Sequence, residues 1–181
     1  MATTERERKT ELLDLGEWKR TIPAHIRERF EVIDGRLMEK DMAMPPHGRI
    51  ILQLYAVMAR QAPGLDLSTD VITFLPDRET GGEQECHPDL VGVHRTNPVP
   101  FGADAYRGVP DLVVEVASRS TRAWDRTRKA AIYAEAGVPH YWLADPLARM
   151  VEALRLNRST GEYERMWERP LDAVEVRDDL K

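Results

Sequence analysis

The chain has 181 residues, and its 26 lysines and arginines against 31 aspartates and glutamates give a formal net charge of −5. This length suits one domain with its own core, and the acidic balance argues against a protein that coats nucleic acid non-specifically. No apolar run is long enough for a membrane span or a secretion signal, and the single cysteine, Cys86, excludes an intrachain disulfide, so we expect a cytoplasmic protein with no membrane partner.

The first half of the chain predicts a hairpin, a long helix and two strands. Residues 1–24 are polar and predict an N-terminal arm or loose helix, followed by a single domain over residues 25–181. In FEVIDGRLME, Asp34-Gly35 is a strong hairpin signal between two apolar runs. Apolar residues recur at helical spacing over residues 47–61, behind two prolines, which predicts an amphipathic helix. LDLSTDVITFLP and EQECHPDLVGVHR are each predicted to be one strand.

The second half continues with strands on both sides of a helix. A loop rich in Pro and Gly precedes the strand VPDLVVEVAS, and TRAWDRTRKAAIYAEAG predicts a helix that stops at Gly137. HYWLADP predicts a short buried strand, and the last segment predicts a hairpin that turns at residues 159–161. The order of elements predicts a mixed α+β fold, with a central sheet, two main helices, and β-hairpins at the N- and C-terminal ends.

The tetrapeptide Pro-Asp-Leu-Val occurs twice, and the second copy leads into a strand with one glutamate, Glu115, among its valines. A buried carboxylate needs a partner. Asp111 shares a face with Glu115 but lies about 13 Å away along the strand, which makes it a poor partner. If the two strands pair antiparallel through a symmetric loop, Asp89 lies opposite Glu115. Two facing carboxylates would share a proton or hold a divalent cation such as Mg²⁺ or Mn²⁺.

The helix that follows carries Asp125 and Lys129 four residues apart. They form an ordinary surface ion pair, or Lys129 leans over the strand end that carries Glu115. A lysine beside a metal ion and a phosphate can orient a water molecule and stabilise developing negative charge. The arginines around Lys129 are a solvated helix face or a local patch for nucleic acid.

The chain resembles the Uma2 family of restriction-endonuclease-like proteins, within the PD-(D/E)XK nuclease superfamily. The resemblance covers residues 25–168 and is most specific over GVPDLVVEVASRSTRAWDRTRKAAIYAEAGVPHYWLADP. It implies a restriction-endonuclease-like central mixed β-sheet flanked by helices. It also implies that Asp89 and Glu115 bind Mg²⁺ or Mn²⁺, with the backbone carbonyl of Val116 as a further ligand, and that Lys129 helps to activate water.

The sequence departs from the superfamily pattern at the lysine, because Ala117 stands where the (D/E)XK element has it. Lys129 on the following helix is the position that matches a displaced lysine. Glu31 is similar to a further acidic residue of the family's site, and His47 to a recurrent histidine at the helix start. The alternatives are that Glu31 faces solvent and that His47 caps the helix or binds a loop.

The resemblance implies a metal-dependent endonuclease that hydrolyses phosphodiester bonds of nucleic acid, and we expect DNA in preference to RNA. Five residues are expected to contact the nucleic-acid backbone: Ser118, Ser120, Thr121, Arg122 and Arg126.

The alternative to an active nuclease is a catalytically inactive nuclease fold that serves as a binding or assembly module. We expect a homodimer, with an apolar face on the C-terminal hairpin formed by Leu154, Leu156, Tyr163, Met166 and Trp167. A nucleophilic hydrolase is disfavoured, because no Gly-x-Ser-x-Gly occurs and Cys86 has His87 beside it but no orienting group.

Overall fold

The computed structural model describes residues 30–33, 36–39, 45–78, 80–97, 105–118, 123 and 125–176. The chain divides into two compact units, Met1–Lys40 and Asp41–Lys181. In the first unit, β1 (Phe30–Ile33) and β2 (Arg36–Glu39) form the predicted antiparallel hairpin. The predicted arm, residues 1–24, lies outside the described residues, so the domain boundary at residue 24 stays a prediction. None of the described helices is long and apolar enough to cross a membrane.

The second unit carries most of the regular structure. Its helices and strands follow in the order α1 (Pro45–Gln61), β3 (Leu65–Thr69), β4 (Ile72–Pro76), β5 (Glu83–Cys86), β6 (Leu90–His94), β7 (Ala105–Arg107), β8 (Leu112–Val116), α2 (Ala130–Ala136), β9 (His140–Asp145), β10 (Met150–Asn157) and β11 (Glu162–Pro170). A π-helical turn, Asp125–Lys129, leads directly into α2. Gly137 ends α2 with a φ of 92°, a left-handed conformation that glycine adopts readily.

Six strands form a mixed sheet in the order β11-β10-β9-β8-β6-β3. β8 and β9 are parallel and are connected through α2, while the other neighbouring strands are antiparallel. A second sheet has the order β5-β4-β7. The mixed sheet with helices packed on it confirms the architecture predicted from the sequence.

Two segments predicted as single strands are instead divided between the two sheets. LDLSTDVITFLP breaks into β3 and β4 at Asp70, whose φ of 53° lies outside the extended range that a strand requires. EQECHPDLVGVHR breaks into β5 and β6 at His87-Pro88-Asp89, because Pro88 has no N–H to donate to a ladder. The predicted loop between β6 and β8 also contains β7.

The main core lies between α1 and one face of the six-stranded sheet. Ile50, Leu54 and Met58 on α1 pack against buried side chains of the strands, among them those of Leu112, Val114 and Val116 on β8. Full burial of one such side chain stabilises the fold by about 1.5–3 kcal/mol. Because side chains alternate along a strand, Glu115 on β8 points to the opposite face of the sheet.

The C-terminal hairpin uses its aromatic side chains within the chain. The ring of Trp167 meets that of Trp142 edge-on, with centroids 4.8 Å apart. The Tyr163 hydroxyl donates a hydrogen bond of 2.8 Å to the carbonyl of Val138. Tyr163 and Trp167 therefore contribute to the protein's own packing while remaining partly exposed, and the dimer face on this hairpin stays a prediction. Met166, at 37% exposure, faces solvent.

Candidate functional site

The Asp89 side chain contacts β8 at Val116, the residue after Glu115. β6 and β8 pair with Leu90 opposite Val114 and Gly92 opposite Leu112. One further step of this register places Asp89 opposite Glu115, as a symmetric connection predicts. Oδ2 of Asp89 accepts the N–H of Val116 at 2.7 Å, so the carboxylate is fixed at the C-terminal end of β8.

The second Pro-Asp dipeptide, Pro110-Asp111, also binds the backbone of the facing strand, at the other end of the β6–β8 pair. Oδ2 of Asp111 accepts the N–H of His94 at 2.7 Å and also a hydrogen bond from the side-chain amide of Asn97 at 2.8 Å. Each proline therefore precedes an aspartate that binds the last N–H of the facing strand. The repeat has a structural cause, and function must be sought in what surrounds each aspartate.

Glu115 is 2% exposed, and both of its carboxylate oxygens have donors. Nζ of Lys129 lies 3.0 Å from Oε2, and the hydroxyl of Tyr133 donates to Oε1 at 2.6 Å. The buried carboxylate of Glu115 therefore has two partners, a lysine and a tyrosine. Removing the lysine would leave a buried charge unpaired, which typically costs about 3–5 kcal/mol. Removing the tyrosine hydroxyl would cost about 1.5–3 kcal/mol, the contribution of a hydrogen bond to a charged group.

The π-helical turn brings a second buried carboxylate to the same lysine. Oδ1 of Asp125 lies 3.6 Å from Nζ of Lys129, and Asp125 is only 2% exposed. The pair is therefore not the ordinary surface ion pair that the spacing alone allows. The hydroxyl of Tyr141 donates to the backbone carbonyl of Asp125 at 3.0 Å, which supports the turn from the neighbouring strand. Single π-helical turns inside helices are rare and are frequent at functional sites.

The hydroxyl of Tyr141 is held in its protonated form. Burial raises its pKa well above the usual range, and the negative charges of Glu115 and Asp125 raise it further. Tyr141 is accordingly a permanent hydrogen-bond donor to the turn that carries Asp125.

The first turn of α1 contributes His47 to the Asp89 carboxylate. Nε2 of His47 lies 3.3 Å from Oδ2 of Asp89. This hydrogen bond and the negative charge of Asp89 raise the pKa of His47, and the Val116 backbone raises it too, whereas burial and the Lys129 ammonium lower it. Nδ1 of His47 is buried and accepts or donates no hydrogen bond within the described part of the chain.

The sequence matches the family model named Uma2, described as "Putative restriction endonuclease", over residues 17–180. The chain belongs to the Uma2 family. A solved structure similar to it is that of "a putative nuclease belonging to DUF820 from Anabaena variabilis ATCC 29413", with a TM-score of 0.60 and 18% identity over 75% of each chain. At that identity the likeness shows the fold. No curated protein matches the chain.

The residues around Asp89 and Glu115 suit a divalent cation in this Uma2 protein. Among the residues that the structure describes here, three carboxylates, from Asp89, Glu115 and Asp125, accompany the Lys129 ammonium and the His47 imidazole. Oδ1 of Asp89 takes no hydrogen bond from any described residue. Carboxylate and backbone carbonyl oxygens are the ligands that Mg²⁺ and Mn²⁺ prefer.

The Lys129 ammonium stands where a metal ion would bind Glu115. Among the residues that the structure describes, no cluster of three or more His, Cys, Asp or Glu side chains stands at a spacing that holds a metal ion. Oε2 of Glu115 faces the Lys129 ammonium. A cation bound there must therefore displace that ammonium.

The remaining predicted site residues are only partly described. Ser118 is half-buried next to the end of β8, whereas Ser120, Thr121 and Arg122 lie outside the described residues. Arg126 is not simply free for a phosphate, because its Nη1 donates to Oε2 of Glu152 at 2.8 Å.

The structure also describes the positions of Glu31, Cys86 and Tyr133. Glu31 lies in β1 of the first unit, opposite Met38, and its role stays a prediction. Cys86 is buried, which disfavours a cysteine nucleophile, although His87 does have a carboxylate partner, with its Nε2 3.1 Å from Oε1 of Glu85. Tyr133 was not predicted as a site residue. Its spacing of four residues from Lys129 was the available signal.

Proposed function

We propose that this Uma2 protein is a metal-dependent endonuclease that hydrolyses phosphodiester bonds of nucleic acid, with Mg²⁺ or Mn²⁺ as cofactor. Two contacts support the proposal: the Asp89 carboxylate accepts the N–H of Val116, the residue after Glu115, and Lys129 binds Glu115. Membership of a restriction-endonuclease-like family supports the reaction class.

Asp89 and Glu115 would hold the metal ion, with the backbone carbonyl of Val116 as a third ligand. A bound divalent ion lowers the pKa of water and neutralises negative charge on a phosphate. Tyr133 would keep the Glu115 carboxylate oriented, and His47 would do the same for Asp89. The Lys129 ammonium would orient the attacking water or stabilise charge on the phosphate. Hydrolysis adds water across one P–O bond, which leaves a phosphate monoester on one product and a hydroxyl on the other.

The nucleic acid would approach along the segment that follows β8, where Ser118, Ser120, Thr121 and Arg122 are expected to contact the backbone. Arg126 is 37% exposed while it binds Glu152, and a guanidinium has further N–H donors for a phosphate. We propose DNA as the substrate in preference to RNA. A homodimer and a cytoplasmic location belong to the same proposal, and so does the functional role that the family resemblance implies for Glu31.

A binding or assembly module without turnover is the second candidate. Lys129 bound to Glu115 and alanine at position 117, where the superfamily pattern has lysine, both favour it. This candidate predicts an intact fold and self-association but no metal-dependent cleavage.

Cleavage assays with Mn²⁺ on single- and double-stranded DNA and RNA distinguish the two candidates. We expect the wild type to cleave, Glu115→Gln to lose the activity, and Asp111→Asn to retain it. Asp111→Asn is the matched control, because Asp111 makes the same backbone hydrogen bond as Asp89 at the far end of the strand pair. Activity that survives Glu115→Gln would reject the assignment, and no cleavage of any substrate by the wild type would favour the binding module.

A further inference from the structure

The Lys129 ammonium lies between two buried carboxylates at unequal distances. Nζ is 3.0 Å from Oε2 of Glu115 and 3.6 Å from Oδ1 of Asp125. The Lys129 side chain is 12% exposed, so the ammonium has little access to water in this position. A buried ammonium that loses its carboxylate partner is strongly destabilised unless a second partner is at hand.

A divalent cation and an ammonium cannot both occupy the Oε2 side of Glu115, because like charges repel strongly where water is scarce. The ammonium must therefore move when the cation binds. Asp125 offers the nearest described carboxylate, and a small rotation of the lysine side chain would close the 3.6 Å separation to an ordinary ion-pair hydrogen bond.

The backbone of Asp125 is held by a hydrogen bond that involves neither Lys129 nor Glu115. Its backbone belongs to the π-helical turn, and its carbonyl accepts the hydrogen bond from Tyr141 on β9. The hydroxyl of Tyr133, four residues after Lys129, keeps the other oxygen of Glu115 oriented. Separate elements thus hold the Glu115 carboxylate and the Asp125 backbone, and Lys129 has the longest side chain of the three residues.

We propose that Asp125 is a positioning residue that receives the Lys129 ammonium when a divalent cation takes Oε2 of Glu115. This inference rests on the proposed function, because it presumes a cation at Glu115. Asp125 keeps the lysine charged and within the site after the exchange, where it faces the phosphate or the attacking water. It also makes the exchange favourable, so it raises the affinity for the metal ion.

The test is a double-mutant cycle on Mn²⁺ affinity, measured by calorimetric titration with Mn²⁺ alone. We expect Asp125→Asn to weaken Mn²⁺ binding about tenfold, because the displaced ammonium loses its second partner. Lys129→Met should tighten binding, since no ammonium then competes for Glu115. In the Lys129→Met background, Asp125→Asn should have an effect at least about fivefold smaller. Glu135→Gln, which removes an exposed carboxylate from the same helix, is the control and should leave the affinity unchanged.

Equal weakening by Asp125→Asn in both backgrounds would overturn the inference, because Asp125 would then act only through its charge. If Asp125→Asn does not fold, Lys129→Met carries the test alone: tighter Mn²⁺ binding supports the exchange, and unchanged or weaker binding overturns it. Absence of Mn²⁺ binding in both the wild type and Lys129→Met would overturn the proposed metal dependence, and the inference with it. The two failures are therefore distinguishable.

Discussion

The two ends of the β6–β8 pair share a backbone device and differ in charge. At one end Asp89 accepts the N–H of Val116, and at the other Asp111 accepts the N–H of His94, each at 2.7 Å. The further partner of Asp111 within the described chain is the neutral amide of Asn97. The partner of Asp89 is the imidazole of His47, and next to it lie Glu115 and Lys129.

This difference separates the structural role of a Pro-Asp motif from its chemical role. Proline starts a strand and aspartate binds the end of the facing strand, so the motif alone predicts a strand boundary. The chemistry depends on which helices reach that boundary. The first turn of α1 and the turn before α2 both bring ionisable side chains to the Asp89 end, which makes that end the candidate for cation binding.

The largest difference between the two ends is expected in cleavage activity. Asp89→Asn should lower the rate about a hundredfold or more, because it weakens a metal ligand worth several kcal/mol in the transition state. Asp111→Asn should leave the rate within about twofold. Both variants keep a carbonyl oxygen for the strand N–H, so both should lose less than about 2 kcal/mol of unfolding free energy. Equal losses of activity in the two variants would remove the distinction between the ends.

A smaller difference is expected in the stability contributed by two tyrosine hydroxyls. Tyr133 donates a hydrogen bond to the buried carboxylate of Glu115, whereas Tyr163 donates one to the neutral carbonyl of Val138. Val138 lies near the Asp111 end of the strand pair, because the N–H of His140, two residues later, binds the Asp111 carbonyl. Hydrogen bonds to charged groups contribute about 1.5–3 kcal/mol and neutral ones about 0.5–1.5 kcal/mol. Urea denaturation of the metal-free protein should therefore show a larger loss for Tyr133→Phe than for Tyr163→Phe. The reverse order would indicate that Glu115 does not need this donor.

The smallest effect concerns the pH dependence of stability in the presence of a chelator. The pKa of His47 in the folded protein is raised above its usual value of 6.5, so the folded state binds the proton more tightly than the unfolded state. The stabilisation by His47 is then complete below pH 6.5 and is lost as the pH rises through the folded pKa. The difference in unfolding free energy between wild type and His47→Gln should accordingly shrink as the pH rises. A difference that grows with pH would show that the interaction with Asp89 does not favour the protonated imidazole.

Much of the fold follows from local patterns, because apolar periodicity, the Asp34-Gly35 dipeptide and the stop at Gly137 are short-range signals in the sequence. The division of two predicted strands between two sheets does not follow in this way. Asp70 carries no glycine-like signal for its left-handed φ, and Pro88 is compatible with a strand edge as well as with a break. Which sheet a strand joins depends on contacts between distant parts of the chain.

The position of Asp89 in the candidate site could be predicted from an assumed strand register. The contacts of Lys129 could not, because they depend on which side chains are buried. The pairing of β6 with β8 places Asp89 as the symmetric connection predicts. A spacing of four residues between Asp125 and Lys129 is the same for a surface pair and a buried one, and only the packing of α2 against the sheet distinguishes them. The hydrogen bond from Tyr133 to Glu115 depends on the same packing.

We expect one end of the β6–β8 pair to bind a divalent cation and the other end not to bind one. Anomalous diffraction at the manganese absorption edge, from crystals grown with Mn²⁺, tests it directly. We expect a manganese peak in contact with the carboxylates of Asp89 and Glu115, with Lys129 turned toward Asp125, and no peak beside Asp111 and Asn97. A peak at Asp111, or none at Asp89 and Glu115, would contradict it.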